Sequence, residues 1–306
     1  MTNSNTNTLA AAAAAGAVAG ALAMLVLRRG KGGGAGDVRS TTASGSTVYE
    51  SARAVDEYLQ FHFAKPDELA PLVGKFVAKE ALNFPALCAK ECSVVKEKTR
   101  ALDIGCAVGG SVFELARDFK EVVGFDFSSA FVTAAKKMQK DGSSPYRATV
   151  EADLTIDRVA HVPGGIDRTR CRFIEGDACN MLALNLGTFD AVLASNLMCR
   201  VPDPFKFLRD VHVLVKPGGV FVLISPYSWL KEYTDKSKWV GGYKKEGRDI
   251  SSKEEVTRLL SAGFELVTDK DMPFLIREHQ RKYQIGCSNC LVWRRKGASS
   301  TDRVVA

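Results

Sequence analysis

The run Ala101-Leu102-Asp103-Ile104-Gly105-Cys106-Ala107-Val108-Gly109-Gly110 constrains this chain more than any other stretch. An acid closes a short apolar strand, and small residues then take the backbone through a tight turn. Ser111 follows in helix-capping position, and residues 112–119 have the apolar spacing of a helix. The pattern predicts the first strand, glycine loop and first helix of an open α/β sheet. Glycine at such a turn lets a ligand lie against the main chain. Two common ligands are disfavoured. A dinucleotide fingerprint requires Gly-x-Gly-x-x-Gly, and the middle glycine is here Ala107. A Walker loop requires Gly-Lys followed by Ser or Thr, which this loop lacks.

Further strand ends follow in order. Val122-Val123-Gly124-Phe125-Asp126 is a buried strand whose acid stands at its carboxyl end, where open α/β sheets bind ligands. Ser128 and Ser129 cap a helix that runs to Lys140 and stops at Asp141-Gly142. Residues 143–170 exceed an ordinary connection and read as an insertion. Cys171-Arg172-Phe173-Ile174-Glu175-Gly176-Asp177-Ala178 brings a third strand to its end, and residues 189–196 form a fourth. A helix at 205–215 leads through Lys216-Pro217-Gly218-Gly219, a tight turn, into the strand 220–224. Beyond it the chain turns aromatic, with Tyr227, Trp229, Tyr233, Trp239 and Tyr243, either as a satellite core or as a lid over a flat substrate. Ser251 opens another helix that ends at Gly263, and strands at 264–269 and 285–294 close the chain. Upstream, residues 48–92 read as helices over the cleft, with breaks at Pro66, Pro71 and Pro85. Tyr49, Tyr58 and His62 there read first as packing residues.

The acid two residues ahead of the glycine loop, the acids at the next two strand ends and the Lys-Pro-Gly-Gly hairpin together resemble the class I S-adenosyl-L-methionine (SAM) methyltransferases. That resemblance implies an α/β, Rossmann-like fold, with a central, mostly parallel seven-stranded sheet and helices on both faces. SAM is then the expected cofactor. Asp103, Gly105, Ala107 and Gly109 would lie beside its amino-acid tail and sulfonium. Asp126 would accept both ribose hydroxyls. Asp177 would accept the adenine amino group, with the Ala178 amide donating to the ring. Asn196, on the loop bordering the methyl group, either orients substrate or caps a helix.

Residues 9–27 form an uncharged stretch of nineteen residues, ten of them alanine. As a helix it would span about 28 Å, close to a bilayer core. Arg28, Arg29 and Lys31 follow at once, which by the positive-inside rule leaves the catalytic part on the cytosolic face. Three readings stand: a membrane anchor, an organelle-targeting segment, and an alanine-rich tail of no consequence in an otherwise cytoplasmic protein. Residues 30–47 read as a Gly/Ser/Thr linker, so 1–47 precede a catalytic domain at 48–296, with a tail at 297–306. The net charge of +7 shows no basic stripe with interleaved aromatics, so nucleic acid is not the expected partner. Eight cysteines sit mostly in apolar runs, the pattern of reduced thiols. Cys287-Ser288-Asn289-Cys290 lacks a second pair, and no metal site is expected.

Several stretches are unlike a generic methyltransferase. Asn83-Phe84-Pro85, Pro163-Gly164-Gly165-Ile166-Asp167-Arg168, Ala194-Ser195-Asn196-Leu197-Met198-Cys199-Arg200, Ser225-Pro226-Tyr227-Ser228-Trp229-Leu230 and Asp271-Met272-Pro273-Phe274-Leu275-Ile276-Arg277-Glu278 resemble the C-terminal methyltransferase domain of ovothiol synthases. So do Lys282-Tyr283-Gln284 and Val292-Trp293-Arg294-Arg295, and the likeness covers residues 48–295. It implies N-methylation of the imidazole of 5-thiohistidine, giving ovothiol A. The usual sulfoxide synthase domain does not precede this domain, so a separate sulfoxide synthase is the implied partner. For this thiol-imidazole acceptor, Tyr227, Trp229 and Trp239 are candidates to stack the ring. Arg277 is the candidate for the substrate carboxylate, with Tyr283 nearby in the same motif. Asp271, Glu278 and His279 are candidate bases for the ring proton.

Overall fold

The computed structural model describes residues 48–297; the apolar run at 9–27, the linker and the end of the tail lie outside them. After a 3-10 turn at Val48–Glu50 come α1 (Ala52–Phe63), α2 (Pro66–Leu69) and α3 (Phe84–Cys92). The Ser51 hydroxyl accepts the amide of Ala54 and starts α1. Pro66 and Pro85 stand in the first turns of α2 and α3, where no helical N–H is missed, so both prolines begin helices.

The chain then lays down β1 (Arg100–Ile104), α4 (Gly110–Leu115), β2 (Glu121–Asp126) and α5 (Ser129–Asp141). An antiparallel hairpin follows, β3 (Ser143–Glu151) with β4 (Leu154–His161). Next come β5 (Cys171–Glu175), β6 (Phe189–Ser195), α6 (Pro204–Leu214) and β7 (Val215–Ser225). A small hairpin, β8 (Tyr243–Lys245) with β9 (Arg248–Ile250), leads to α7 (Ser252–Leu260) and the long pair β10 (Phe264–His279) and β11 (Lys282–Arg295).

Seven strands form one sheet in the order β10-β11-β7-β6-β1-β2-β5. β7, β6, β1, β2 and β5 run parallel, and β11 is antiparallel to both of its neighbours. β1, in the middle, is buried along all but its first residue, as a strand covered on both faces must be. Alternation divides its side chains between two cores. Ala101 packs with Phe84, Phe113 and Met138 under α1, α3, α4 and α5; Leu102 and Ile104 pack with Phe207, Val256 and Trp293 under α6 and α7. Asp103 shares the face of Ala101. The expected α/β architecture is the one observed.

Local details differ from the sequence expectation. Ser111 does not cap α4: Gly109 holds the cap position at φ +90°, and the Ser111 hydroxyl donates instead to the carbonyl of Pro85. The insertion expected at 143–170 is an antiparallel hairpin over 143–161, a two-stranded sheet of its own, followed by a 3-10 turn at Arg168–Arg170. The closing strands run far beyond 269 and begin well before 285, because β10 and β11 stay paired from Phe264↔Arg295 to His279↔Lys282. Their distal half projects past the sheet as an arm, bonded to the insertion through Gln280 N–H and the Val150 carbonyl. No helix among the described residues is long and apolar enough to cross a membrane.

Candidate functional site

The carboxyl ends of the parallel strands converge on the glycine loop. Gly105 N–H and Cys106 N–H both donate to the carbonyl of Phe125, at 2.8 and 3.0 Å, so the loop is stitched to the end of β2. Asp126 completes the stitch. Its Oδ2 accepts from Ala107 N–H and its Oδ1 from Ser128 N–H, each at 2.9 Å. Each carboxylate oxygen retains a further lone pair, so the group can still accept from a diol. Burial pushes Asp126 up to about 6, against the backbone donors that favour its charge. Asp103 is only 3% exposed and pushed up to about 8, first by burial and then by the charge of Asp126. No hydrogen-bond donor among the described residues serves its carboxylate. A buried acid beside a glycine loop, without a cationic partner, is the local chemistry that a ligand ammonium satisfies. Asp177 Oδ1 accepts from Cys179 N–H at 2.8 Å, and Ala178 is buried beside it. Asp103, Asp126 and Asp177 stand at the ends of the adjacent strands β1, β2 and β5, and the unmet carboxylate of Asp103 fits the ammonium of SAM.

Backbone strain marks the same rim. Ala107, Asn196 and Tyr227 are non-glycine residues at φ of 47°, 53° and 52°, and each sits on a loop leaving a different strand end. Gly105 and Gly109 hold φ of 75° and 90° in the first of these loops.

The N-terminal helices form the cover. Glu50 accepts from the hydroxyls of Ser128 and Ser129 at 2.7 and 3.1 Å, pinning the first 3-10 turn to the start of α5. His62 Nδ1 accepts from Gly110 N–H at 3.0 Å. Burial lowers His62 to about 3, so the ring stays neutral and acts as an acceptor at the glycine loop. Tyr58 packs on Phe131 with ring centroids 4.6 Å apart, and Tyr49 stands edge-on to Tyr58 at 6.1 Å.

On the opposite side of the cleft, Asn196 neither caps a helix nor stands free. Its Oδ1 accepts from the Ser288 hydroxyl at 2.7 Å, tying the end of β6 to β11. The Tyr227 hydroxyl donates to Asn289 Oδ1 at 2.9 Å. The aromatic stretch is packed into the core rather than set over the cleft as a lid: Trp229 belongs to the same buried cluster as Leu102, Ile104 and Phe207, with Tyr227 and Trp239 against it. Trp229 and Trp239 stack on each other, 6.3 Å apart and 20° from parallel. Their indole N–H groups donate to Ser252 Oγ and the Thr234 carbonyl. Trp229 is 9% exposed, so this pair packs the fold and does not offer two faces to an acceptor ring.

The distal arm takes four other candidates away from the cofactor loop. Arg277 is 6% exposed and donates to the carbonyls of Glu68 and Thr149, at 2.8 and 3.1 Å; its Nε is buried without a partner. The guanidinium is almost sealed from solvent behind those two bonds, so its fork is not open to a carboxylate, against its expected role as a carboxylate clamp. Tyr283 donates to the Gln280 carbonyl at 2.7 Å and closes the turn of the arm. Glu278 accepts from Gln284 and pairs with Lys282, both inside the arm, while His279 Nδ1 accepts from Arg281 N–H. Asp271 is exposed opposite Asn289 in the β10–β11 register and has no partner among the described residues. Cys287 is exposed and Cys290 buried; three residues apart on a strand they face opposite sides and cannot share a metal.

The residue that sequence reading passed over is Arg200. It ends the 3-10 turn Met198–Arg200 after β6, with its guanidinium 5.0 Å from the centre of the Tyr233 ring. The signal was its place in the strand-end loop, four residues after Asn196.

Comparison with known proteins agrees with this geometry. Residues 102–223 match the family model described as a methyltransferase domain. The cycloartenol-C-24-methyltransferase 1 of Oryza sativa subsp. japonica is 29% identical over 191 residues, covering 58% of this chain and 47% of that protein. The ubiquinone biosynthesis O-methyltransferase of Vibrio parahaemolyticus is 28% identical over 120 residues, 39% of this chain and 40% of that protein. The chain spans about half the length, or less, of these curated relatives. Among solved structures, the [4+2]-cyclase SpnF superposes with a TM-score of 0.52 at 15% identity, covering 85% of this chain and 98% of its own; that likeness is one of fold.

Proposed function

From a chain whose residues 102–223 form a methyltransferase domain of the SAM-dependent class, we propose an enzyme that methylates an imidazole nitrogen of 5-thiohistidine, giving ovothiol A. Buried Asp103 at the glycine loop, without a partner among the described residues, carries the cofactor half of this reading. The likeness of the cleft and arm motifs to the methyltransferase domain of ovothiol synthases supports the acceptor half. SAM, when bound, supplies an electrophilic methyl group on a sulfonium. Asp103 would hold its ammonium, Asp126 its ribose, and Asp177 with Ala178 its adenine. The chain's remaining task is to align a neutral ring nitrogen with that methyl and exclude water. Methylation of one ring nitrogen would leave the other with a proton to shed, and the chain would have to supply its acceptor. Asp271, at the exposed edge of β10, is the unengaged carboxylate among the three candidate bases. A separate sulfoxide synthase would supply the carbon–sulfur bond, and the run at 9–27 supports attachment to a membrane.

The names of the relatives, which concern sterol and ubiquinone methylation, support a second reading in which the acceptor is another small molecule. Incubation with SAM and 5-thiohistidine, followed by mass spectrometry of the product, separates the two. Gain of one methyl on the ring is the expected result; no product, with SAM binding intact, overturns the acceptor assignment.

A further inference from the structure

Arg200 is held as a prepared half of an ion pair. Its Nη1 donates to the Ser228 and Cys199 carbonyls at 2.7 and 3.0 Å, and its Nη2 to Ser228 Oγ at 3.1 Å. Those contacts, with a further one from Nη1 to Cys199 Sγ at 3.3 Å, lock the plane of the guanidinium and occupy both Nη1 protons and one on Nη2. What is left is the Nε–H and the second Nη2 proton, the side-on fork that accepts a carboxylate through two parallel hydrogen bonds. Nε of Arg200 is not among the buried atoms that lack a partner, in contrast to Nε of Arg277. Arg200 is partly exposed, so this edge is not sealed as that of Arg277 is.

No aspartate or glutamate among the described residues pairs with this cation. The groups that act on it are Cys199 and the hydroxyls of Tyr49, Tyr233 and Tyr58. All are neutral as ordinary side chains, and burial pushes Tyr49 and Tyr58 further from ionising. A half-buried cation among phenols, with one edge unsatisfied, is an incomplete site. It also belongs to the rim of the cleft: Arg200 N–H donates to the Leu197 carbonyl at 2.7 Å, and Leu197 lies against Gly105 of the glycine loop, where an added Cβ would stand 2.9 Å from it.

We propose that Arg200, with the hydroxyls of Tyr49, Tyr58 and Tyr233, binds the carboxylate of the methyl acceptor, so that this enzyme selects small amino-acid-like acids over uncharged or apolar acceptors. The inference rests on the methyltransferase reading and narrows it. Arg200 acts as a specificity residue that fixes one end of the acceptor. Tyr233 and Ser228 are positioning residues that aim its fork. Bound SAM would bring a second carboxylate to the same cleft, and the experiment must tell the two apart.

Three full-length proteins serve: wild type, Arg200→Gln and Arg200→Lys. Calorimetry first measures S-adenosylhomocysteine binding to each. Binding of histidine against histamine, and of tyrosine against tyramine, is then measured on the S-adenosylhomocysteine-loaded proteins; each pair shares a ring and differs in the carboxylate. Turnover of 5-thiohistidine is followed in parallel. Expected is a wild-type preference for an acid over its amine, lost in Arg200→Gln and partly recovered in Arg200→Lys. The acceptor KM should rise about thirtyfold or more in Arg200→Gln, with S-adenosylhomocysteine affinity within about twofold of wild type. Loss concentrated in S-adenosylhomocysteine affinity would assign the fork to the cofactor's carboxylate and overturn the proposal. So would an absence of acid preference in the wild type, or unchanged binding in Arg200→Gln. Arg200-dependent acid binding without turnover of 5-thiohistidine would remove that substrate and leave the carboxylate site standing.

Discussion

Asp126 at the end of β2 and Ala107 in the glycine loop are joined by a 2.9 Å hydrogen bond from the Ala107 amide to the Asp126 carboxylate. The bond gives one carboxylate two tasks. It holds a non-glycine residue at φ 47°, and it presents its remaining lone pairs to the cleft. Asp126→Asn should therefore be costlier than a lost ligand contact, because the amide cannot accept from Ala107 and Ser128 through both of its ends. SAM affinity should fall by about 2–3 kcal/mol, roughly 30- to 150-fold, as for the loss of charge-assisted hydrogen bonds. Titration calorimetry reads this directly; an affinity within threefold of wild type would take Asp126 out of the cofactor site.

The second prediction concerns pH. Asp103 stands at about 8 and Asp126 at about 6 without ligand, both raised chiefly by burial. A carboxylate raised on folding stabilises the fold fully only below its unfolded value of about 4, and that contribution is lost as pH climbs through the folded value. The ligand-free protein should accordingly lose stability between about pH 4 and 8 from these two groups. A cation on the ligand reverses the sign, since it favours the charged form. SAM affinity should rise with pH, by up to about tenfold per unit between pH 6 and 8, and level off above 8. Asp103→Asn should bind weakly with a flat profile over that interval. Wild-type affinity independent of pH would mean that Asp103 does not meet the ammonium.

Two glycines with the same backbone sign separate strain from crowding. Gly109 lies at φ 90°, and a Cβ there would stand 2.7 Å from the Phe173 ring. Gly218 lies at φ 78° with nothing within 4 Å of such a Cβ. Gly218→Ala should cost about 1–2 kcal/mol, the penalty for a left-handed side chain. Gly109→Ala adds overpacking against a buried ring, so about 3–4 kcal/mol in total is expected. Urea denaturation of the two variants tests the difference; equal costs would show that Phe173 yields freely.

Legibility followed the range of the interactions. A parallel strand covered on both faces is a short apolar run, and the acid at its end is adjacent in sequence; Asp103, Asp126 and Asp177 could thus be read locally. The arm could not. Pro273 and the charged residues between 269 and 282 interrupt the apolar pattern, while pairing with β11 carries the strand through regardless. The two arginines make the same point more sharply. Arg277 takes its partners 209 and 128 residues away, and Arg200 takes Ser228 at 28. Which of them is sealed and which is partly open depends on contacts that no spacing encodes. Trp229 and Trp239 likewise looked like a platform until their N–H groups found Ser252 and Thr234.

Arg277 supplies the last prediction, as the counterpart of Arg200. Its guanidinium bridges α2 to β3 through the carbonyls of Glu68 and Thr149, from a position on β10 that is almost sealed from water. Burial lowers the pKa of this arginine from its usual value, and no acid offsets the cost. Arg277→Ala should then unpair two carbonyls and loosen the arm from the insertion, destabilising the fold by about 2–4 kcal/mol. Arg277→Met, which keeps most of the volume but leaves the same carbonyls unpaired, should recover only the packing part. Because neither change touches the Arg200 fork, the acceptor KM of the folded fraction should stay within about threefold of wild type, while the melting temperature drops. A large KM effect at unchanged stability would return the carboxylate role to Arg277 and take it from Arg200. The two variants measured together decide which arginine the acceptor meets.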